Sequence, residues 1–204
     1  MKEDTDPETI FNIAMGAVGG EQITQQHRIC MDDIVLEKIE APEIKPEETG
    51  KNLLTNGDFS DETSEWGINT NDGQGGQTAT TVVTHGGIVF HVINPGVYDW
   101  DVQLNQHGFT LEKGCKYRVK FKVTSTKART IKLGLMDNNC QTWYGGADIS
   151  LAEAKEKEVS CEFTMQQDTD NDSKMFISMG KINGENTPAS DITLTNFSLE
   201  KITE

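Results

Sequence analysis

The fold is decided by WDVQLNQHGFTLEKGCKYRVKFKVTST, residues 100–126. In its second half apolar and basic side chains alternate, and the apolar ones are Tyr117, Val119, Phe121 and Val123. Successive side chains of a β-strand point to opposite faces, so this pattern is typical of a strand with one buried face. The first half also alternates, and EKG, a turn sequence, separates the two halves. The stretch predicts two strands joined by a turn.

The same alternation recurs along the chain from residue 52 onward. It appears in TIKLGLM, VSCEFTM, KMFISMG and DITLTNFSLEKI. Turn sequences such as NGD, HGG, NPG and NGEN separate these segments. Only SLAEAKEKE, residues 150–158, has the composition for a helical turn or two. The pattern predicts an all-β protein, a β-sandwich jelly roll of two antiparallel sheets.

Two segments near the beginning of the chain resemble its end. FNIAMGAVGGE, residues 11–21, aligns with MFISMGKINGE, residues 175–185, and ICMDDIVLEKI, residues 29–39, aligns with the final ITLTNFSLEKI. The offset is nearly constant, at 164 and then 163 residues. Convergence of two strand-turn-strand pieces would explain the alternation, but it would not explain the shared Met-Gly, Gly-Glu and LEKI.

This repeat predicts a tandem arrangement of modules. Residues 1–39 are predicted to be the C-terminal strands of a preceding module, residues 40–51 a linker rich in Pro and Glu, and residues 52–204 one complete module. The first residues lack the basic start and apolar segment of a signal peptide. If the protein is secreted or held at the cell surface, we therefore expect the chain to be a piece of a longer precursor.

The charge of the chain argues against two classes of partner. Its formal net charge is −15, and no run of Lys or Arg is longer than two. A phosphate backbone would be repelled rather than neutralised, so neither nucleic acid nor an anionic membrane is an expected partner. No apolar run approaches the roughly 18–20 residues that a transmembrane helix needs.

Cysteine, histidine and carboxylate residues do not form a recognisable catalytic or zinc motif. The four cysteines lack CxxC or Cys/His ligand spacing, and free or partly buried thiols are expected, with disulfides as the alternative. The four histidines do not accompany a nucleophile motif such as G-x-S-x-G. A glycosidase would need two buried, facing carboxylates, whereas nearly all of the acidic residues lie in turns or linkers. The sequence predicts that the chain is not an enzyme.

Aromatic and amide side chains are concentrated in three segments. SEWGINTND, GVYDWDVQLNQ and NNCQTWYGG contain all three Trp, two of the three Tyr and many Asn and Gln. A sugar ring has apolar C–H faces and a rim of hydroxyls, so it is bound by a flat aromatic surface flanked by amides. These segments favour a neutral, polyhydroxylated ligand.

In the second of these segments, alternation separates the amides from the Trp. It places Gln103 and Asn105 on one face of the strand and Trp100 on the other. The two amides are then predicted to line the concave sheet face. For Trp100 we expect packing in the core, with stacking on a ligand as the alternative.

The remaining candidates come from the other segments. Trp66 follows the NGDFS turn, and a core position is expected, again with ligand stacking as the alternative. Trp143 and Tyr144 lie beside two glycines in an amide-rich loop, where Trp143 is the candidate stacking platform. Lys132 points away from its apolar neighbours and is predicted to reach the same cleft, unless it is simply solvated.

At these residues the chain resembles a known family. NLLTNGDFS, EWG, residues 100–126, WYGGADISL, KEVSCEFTM and ITLTNFSLEKI resemble, in that order, the carbohydrate-binding modules of families 4, 9 and 16. The N-G-x-F opening and the V-Q-L…L-E-K-G-x-x-Y-R-V motif carry the resemblance. It implies a β-jelly roll, often in tandem and attached to a secreted bacterial glycoside hydrolase. It also implies a cleft across the concave sheet that binds a single glycan chain without cleaving it.

The resemblance also assigns residues to that cleft. The amide of the V-Q-L strand corresponds to Gln103, the polar residue that ends the strand to Asn105, the basic residue of the cleft to Lys132 and the loop aromatic to Trp143. The position three residues after the first Trp is often aromatic in relatives, and here it is Asn69.

Family members often carry a structural calcium ion. By position its ligands here would be a backbone oxygen at Asp58, another at Gly86 or Gly87, and the side chain of Thr195 in the closing strand. The last position is usually acidic, and the N-terminal fragment has Asp32 there. Calcium prefers carboxylate oxygens, so Thr195 weakens the expectation.

These observations lead to one functional hypothesis and one alternative. The hypothesis is that the module binds a polysaccharide, a β-glucan first, then mannan, with xylan also among the possible ligands, and targets a catalytic domain in the same parent chain to that substrate. The alternative is a structural or adhesion sandwich whose aromatic residues only fill the core.

Overall fold

The computed structural model describes residues 50–70, 77–83 (backbone only), 86–184 and 187–202. All of them belong to the second of two units into which the chain divides, Lys45–Glu204. The predicted fragment, 1–39, and nearly all of the predicted linker lie outside the described residues, so the tandem arrangement stays a prediction. Within the described part of the chain, no helical segment has the length and apolar character needed to cross a membrane.

The described residues form ten β-strands and two single-turn 3₁₀ segments, Asp99–Asp101 and Ile182–Gly184. In chain order the strands are β1 (Gly67–Asn69), β2 (Gln77–Val83), β3 (Gly87–Asn94), β4 (Gln103–Leu111), β5 (Lys116–Ser125), β6 (Arg129–Asp137), β7 (Trp143–Leu151), β8 (Lys157–Thr164), β9 (Asp170–Ser178) and β10 (Ser190–Ile202). The prediction of an all-β protein is confirmed. The helical turn considered for residues 150–158 is wrong, because this segment ends β7, turns at Ala154 with φ of 52° and begins β8.

The strands form two antiparallel sheets of five strands each in the described residues. The front sheet has the order β1-β4-β9-β6-β7, and the back sheet has the order β2-β3-β10-β5-β8. The sheets enclose a core to which each contributes alternate side chains. In β5 the four apolar residues of the opening stretch are at most 1% exposed, as the alternation predicts.

The closing strand of the chain, β10, is the central strand of the back sheet. β10 pairs with β3 along one edge and with β5 along the other. The pairing with β5 shifts register between Thr195 and Ser198, and Asn196 in this bulge has φ of 58°. Thr195 and Asn196 both face away from the core, so the bulge shifts the alternation by one residue and Phe197 points into the core.

The first residues of the module are hydrogen-bonded to this closing strand. The side-chain amide of Asn52 donates to the carbonyl of Phe197 (3.0 Å), and its oxygen accepts from the backbone N–H of Leu199 (2.9 Å). Phe197 is 3% exposed and contacts three aromatic rings at centroid distances of 5.0–6.1 Å, those of Phe59, Trp66 and Phe121. The first and last segments of the module thus share one aromatic cluster.

Cys115, Cys140 and Cys161 are free thiols, as expected for a core of this size. Burial raises the pKa of the Cys161 thiol. Cys30 lies outside the described residues.

The substitution Phe197→Ala tests the weight of the aromatic cluster. We expect it to lower the free energy of unfolding by about 3–5 kcal/mol, because a buried Phe side chain is removed and a cavity is left between the two ends of the module. Urea denaturation followed by tryptophan fluorescence measures this. The matched control is Val97→Ala, at a position that is 57% exposed, where a change below about 0.5 kcal/mol is expected. Equal effects of the two substitutions would contradict the stabilising role of the cluster.

Candidate functional site

A cleft of about 530 Å³ crosses the outer face of the front sheet. Its floor consists of outward-facing side chains, and those of paired residues lie side by side in rows that cross the strands. One row runs from β1 to β6 through Asn69, Gln103, Ser178 and Lys132. The next contains Phe176, and the third contains Lys174, Met136 and Trp143. Strands that are far apart in sequence therefore meet in one surface.

Trp143, the predicted stacking platform, lies at the β7 side of the cleft. A Cβ atom on Gly134 would lie 2.7 Å from its ring atom Cζ3, and one on Gly146 would lie 2.9 Å from Cζ2. The indole therefore lies over two glycines, with the edge of Phe176 beside it at a centroid distance of 6.0 Å and an angle of 66°. Trp143 remains 48% exposed. An aromatic ring with an accessible surface is thus held against the sheet.

Trp100 lies on the opposite side of the cleft, in the loop before β4. It stacks on Tyr98 with a centroid distance of 4.7 Å and an interplanar angle of 6°, and it is 52% exposed. The expectation that Trp100 packs in the core is wrong. Residues 99–101 form a 3₁₀ turn, so the two-residue alternation of β4 does not extend back to them. Asp101, the last residue of this turn, is fully buried.

The buried carboxylate of Asp101 fixes the loop that carries Trp100. Its Oδ2 accepts from the backbone N–H of Val97 (2.6 Å) and of Tyr98 (2.9 Å). The carbonyl of Asp99 accepts from the backbone N–H of Gly180 (3.0 Å), which ties the loop to the end of β9. Charge-assisted bonds of this kind are short and strong, so the aromatic pair has a rigid support.

An ion pair lies between the two aromatic sides of the cleft. Lys132 Nζ is 2.7 Å from Asp99 Oδ2, and the two side chains are 25% and 17% exposed. Beside it, Gln103 Nε2 donates to Ser178 Oγ (3.1 Å). Asn69 Nδ2 donates to the carbonyl of Trp100 (2.6 Å). Lys132 therefore reaches the cleft as predicted, together with Gln103 and Asn69.

Three predicted residues are not part of this cleft. Trp66 is 7% exposed and stacks on Phe59, so it occupies the core position expected for it. Tyr144 packs against the core and donates its hydroxyl to Asp170 Oδ2 (2.9 Å), and burial raises the pKa of its phenol. Asn105 shares the outer face with Gln103 but donates to the carbonyl of Gly67 (3.2 Å) at the side of the sheet.

Sequence reasoning missed several residues of the cleft. Asp99, Phe176 and Ser178 line the cleft but were not predicted as site residues. The signal for Gly134 was present, since a glycine at an outward position of a strand often marks a close approach of another group. Its partner, Trp143, cannot be identified without the pairing of β6 with β7.

The predicted calcium ligands lie where the opening turn meets β10. A Cβ atom on Gly86 would lie 3.0 Å from the carbonyl oxygen of Asp58 and 3.9 Å from Oδ1 of Asn196. The side-chain oxygen of Asn196, the residue after Thr195, thus lies near this position. The Asp58 carboxylate accepts from Ser60, which lowers its pKa. In the described part of the chain, no group of three His, Cys, Asp or Glu residues could hold a metal ion. The two oxygens near Gly86 are a backbone carbonyl and a side-chain amide. Calcium accepts both types of oxygen, but both are neutral.

The fold has many solved counterparts. A CBM4 structure is 19% identical, with a TM-score of 0.60 over 76% of this chain and 97% of that chain. The N-terminal cellulose-binding domain of Cellulomonas fimi β-1,4-glucanase C is 18% identical, with a TM-score of 0.52 over 68% of this chain and 90% of that domain. The second N-terminal cellulose-binding domain of the same glucanase is 15% identical, with a TM-score of 0.56 over 75% of this chain and 95% of that domain. These similarities show the jelly-roll fold.

The sequence itself identifies the family. No curated protein matches the chain. The family described as "Carbohydrate binding domain", CBM_4_9, matches residues 51–190, which is more than half of the chain and contains every residue of the cleft. The protein therefore belongs to the family of carbohydrate-binding domains that its motifs resemble.

Proposed function

We propose that the cleft binds a single chain of a plant-type polysaccharide, a β-linked glucan or a mannan, and does not cleave it. The observation that carries this proposal is the Trp143 ring, which lies over Gly134 and Gly146 with part of its surface accessible. A ring in this position offers its face to the C–H groups of a pyranose. The Trp100 ring lines the other side of the same cleft.

The polar groups between the aromatic rings suit the hydroxyl rim of such a chain. Gln103 and Asn69 supply amides, and an amide both donates and accepts hydrogen bonds as a hydroxyl does. Lys132 and Asp99 compensate each other's charge. The centre of the cleft therefore combines hydrogen-bonding capacity with little net charge, which favours a neutral glycan.

The proposed biological role is to hold an attached glycoside hydrolase on its substrate. Weak binding by a tethered module raises the local concentration of the catalytic domain without any new contact. Two structures of the same fold are described as cellulose-binding domains of a β-1,4-glucanase, which supports both this role and a β-glucan as the first ligand to test. The role implies a protein that is secreted or displayed at the cell surface.

Affinity electrophoresis in gels that contain β-glucan, glucomannan, xylan or no polymer tests the proposal. We expect retardation in β-glucan or glucomannan. The substitution Trp143→Ala should weaken binding about tenfold or more, because both ring stacking and apolar contact are lost. The matched control is His91→Ala on the back sheet, where His91 pairs with Asp191 at the surface, and its binding should be unchanged. Migration that no polymer alters would favour the adhesion alternative.

A second variant tests whether glycan binding depends on the position of the Trp143 ring and not only on its presence. Gly134→Ala keeps Trp143 but places a methyl group against both Trp143 and Phe176, so the ring must move. Retardation should then fall although circular dichroism stays that of a folded sandwich. Wild-type affinity in this variant would argue against the stacking geometry.

A double-mutant cycle tests the ion pair in the cleft. Lys132→Met and Asp99→Asn should each lower the free energy of unfolding, and the pair should show a coupling of about 1 kcal/mol, because each single substitution leaves a partly buried charge without its partner. Urea denaturation of the four proteins measures the coupling. Strictly additive effects would show that the two charges do not stabilise one another.

Calcium is also proposed as a weak structural ligand beside Gly86. With the carbonyl of Asp58 and the amide oxygen of Asn196 as neutral ligands, affinity should resemble that of the weakest extracellular sites. Millimolar calcium should raise the free energy of unfolding by about 1–2 kcal/mol relative to EDTA. The substitution Asn196→Ala should remove this difference. Identical denaturation curves with calcium and with EDTA would contradict the proposal.

A further inference from the structure

The outer face of the front sheet extends beyond the cleft, to the end where β6 begins and β7 ends. Thr130 and Ser150 are paired there, in the next outward-facing row after that of Lys132 and Asp148. Ile131, which lies between Thr130 and Lys132, is fully buried, so these two residues share the outer face. At a rise of about 3.4 Å per residue they lie about 7 Å apart along the strand. The Thr130–Ser150 pair therefore continues the face that forms the floor of the cleft.

A second cavity, of about 240 Å³, is built on this pair. Thr130 and Ser150 line it from the strands, and Thr187 and Pro188 line it from the segment before β10. The cavity shares no described lining residue with the cleft. Binding of a glycan along the cleft alone does not account for it.

The cavity offers hydroxyl groups and apolar surface. In the part of the chain that the structure describes, neither the Thr130 nor the Ser150 hydroxyl has a hydrogen-bond partner. A hydroxyl both donates and accepts, as the hydroxyls of a sugar do, so the two kinds of group can bond reciprocally. Pro188 is exposed beside them and provides apolar surface for the C–H groups of a sugar ring.

The cavity presents no charge to a ligand among its described lining residues. Arg129 is the one charged residue of that lining, but its guanidinium is directed inward. It donates to Ser190 Oγ (2.9 Å) and to the carbonyls of Met179 and Gly180. Strand alternation likewise places Arg129 on the core side of β6, opposite Thr130. The accessible chemistry of the cavity therefore favours a neutral sugar over an acid.

The surface between the cleft and the cavity is polar. Asp148 is the cross-strand partner of Lys132, which lines the cleft, and its Oδ2 accepts from Asn183 Nδ2 (2.9 Å). Asp148 is exposed, and a carboxylate can accept several hydrogen bonds. A sugar unit that extends from the cleft towards the cavity therefore meets hydrogen-bonding groups on its way.

We propose that the cavity is a subsite for a single neutral sugar that branches from the main chain held in the cleft. This inference rests on the proposed function, because the cleft must hold the main chain. The cleft crosses the strands between Trp100 and Trp143, whereas the cavity is displaced along the strands, which favours a branch. The cavity has less than half the volume of the cleft, which suits one sugar unit. The ligand class is thus a β-linked glucan or mannan with single-sugar branches.

Isothermal titration calorimetry of the full chain with matched oligosaccharides tests the proposal. The first pair is cellotetraose and the xyloglucan heptasaccharide, which has the same backbone with xylose branches. The second pair is mannopentaose and its galactose-branched counterpart. We expect the branched member of at least one pair to bind about three- to tenfold more tightly, because the branch adds hydrogen bonds and apolar contact. Branched members that bind no more tightly than unbranched ones in either pair would overturn the proposal.

A double variant, Thr130→Val with Ser150→Ala, locates the branch. Both substitutions remove a hydroxyl from the outer face and leave the core unchanged, so the preference for the branched member should disappear while affinity for the unbranched member stays that of the wild type. The matched control is Thr193→Val, which removes an outward-facing hydroxyl from the back sheet and should retain the full preference. An undiminished preference in the double variant would contradict the proposal.

The same titrations separate this inference from the proposed function. Binding of the unbranched oligosaccharides without any preference for branches overturns the subsite and leaves glycan binding by the cleft in place. Absence of binding by every oligosaccharide overturns both. Trp143→Ala should weaken both members of a pair by a similar factor, since the main chain lies in the cleft. Branched binding that this substitution leaves unchanged would show that the cavity does not act together with the cleft.

Discussion

The two-residue period of the β-strand is the constraint on which both faces of the front sheet depend. Along β6, Ile131, Leu133 and Leu135 point into the core and are fully buried, while Lys132 points into the cleft and Gly134 lies on the same face under Trp143. A register slip of one residue would exchange the two sets, and it would expose the apolar residues as it buried the lysine. The core therefore fixes the register, and the register fixes which side chains form the cleft.

Within that register, the cleft depends on the absence of side chains as much as on their presence. Gly134 and Gly146 leave room for the Trp143 ring to lie against the sheet, and Phe176 limits its movement from one side. On the other side, the buried carboxylate of Asp101 holds the loop that carries Trp100. Trp143 is thus positioned by two glycines and Phe176, and Trp100 by a loop that a buried carboxylate holds.

Two partly or fully buried cationic side chains, Lys132 and Arg129, have different kinds of partner. In the cleft, Lys132 is paired with Asp99, so these two charges compensate each other. At the end of the sandwich, Arg129 is more deeply buried and is surrounded only by neutral acceptors among the described residues. Lys132 is thus stabilised by an opposite charge, and Arg129 by hydrogen bonds to neutral groups.

The amino-acid sequence by itself determined the strands, the family and much of the cleft. Local alternation located β5, β6, β8, β9 and β10, and the motifs of residues 100–126 indicated a carbohydrate-binding domain. Gln103, Lys132, Asn69 and Trp143 were predicted, because strand alternation and family position are both local properties of the chain.

Only the tertiary structure decided the rest. The exposed position of Trp100 depends on a 3₁₀ turn held by Asp101, and the place of Asn196 depends on a bulge in the pairing of β10 with β5. Phe176 meets Gly134, and Arg129 meets Met179, across 42 and 50 residues of sequence. No local pattern encodes such contacts, since they follow from the order in which the strands pair.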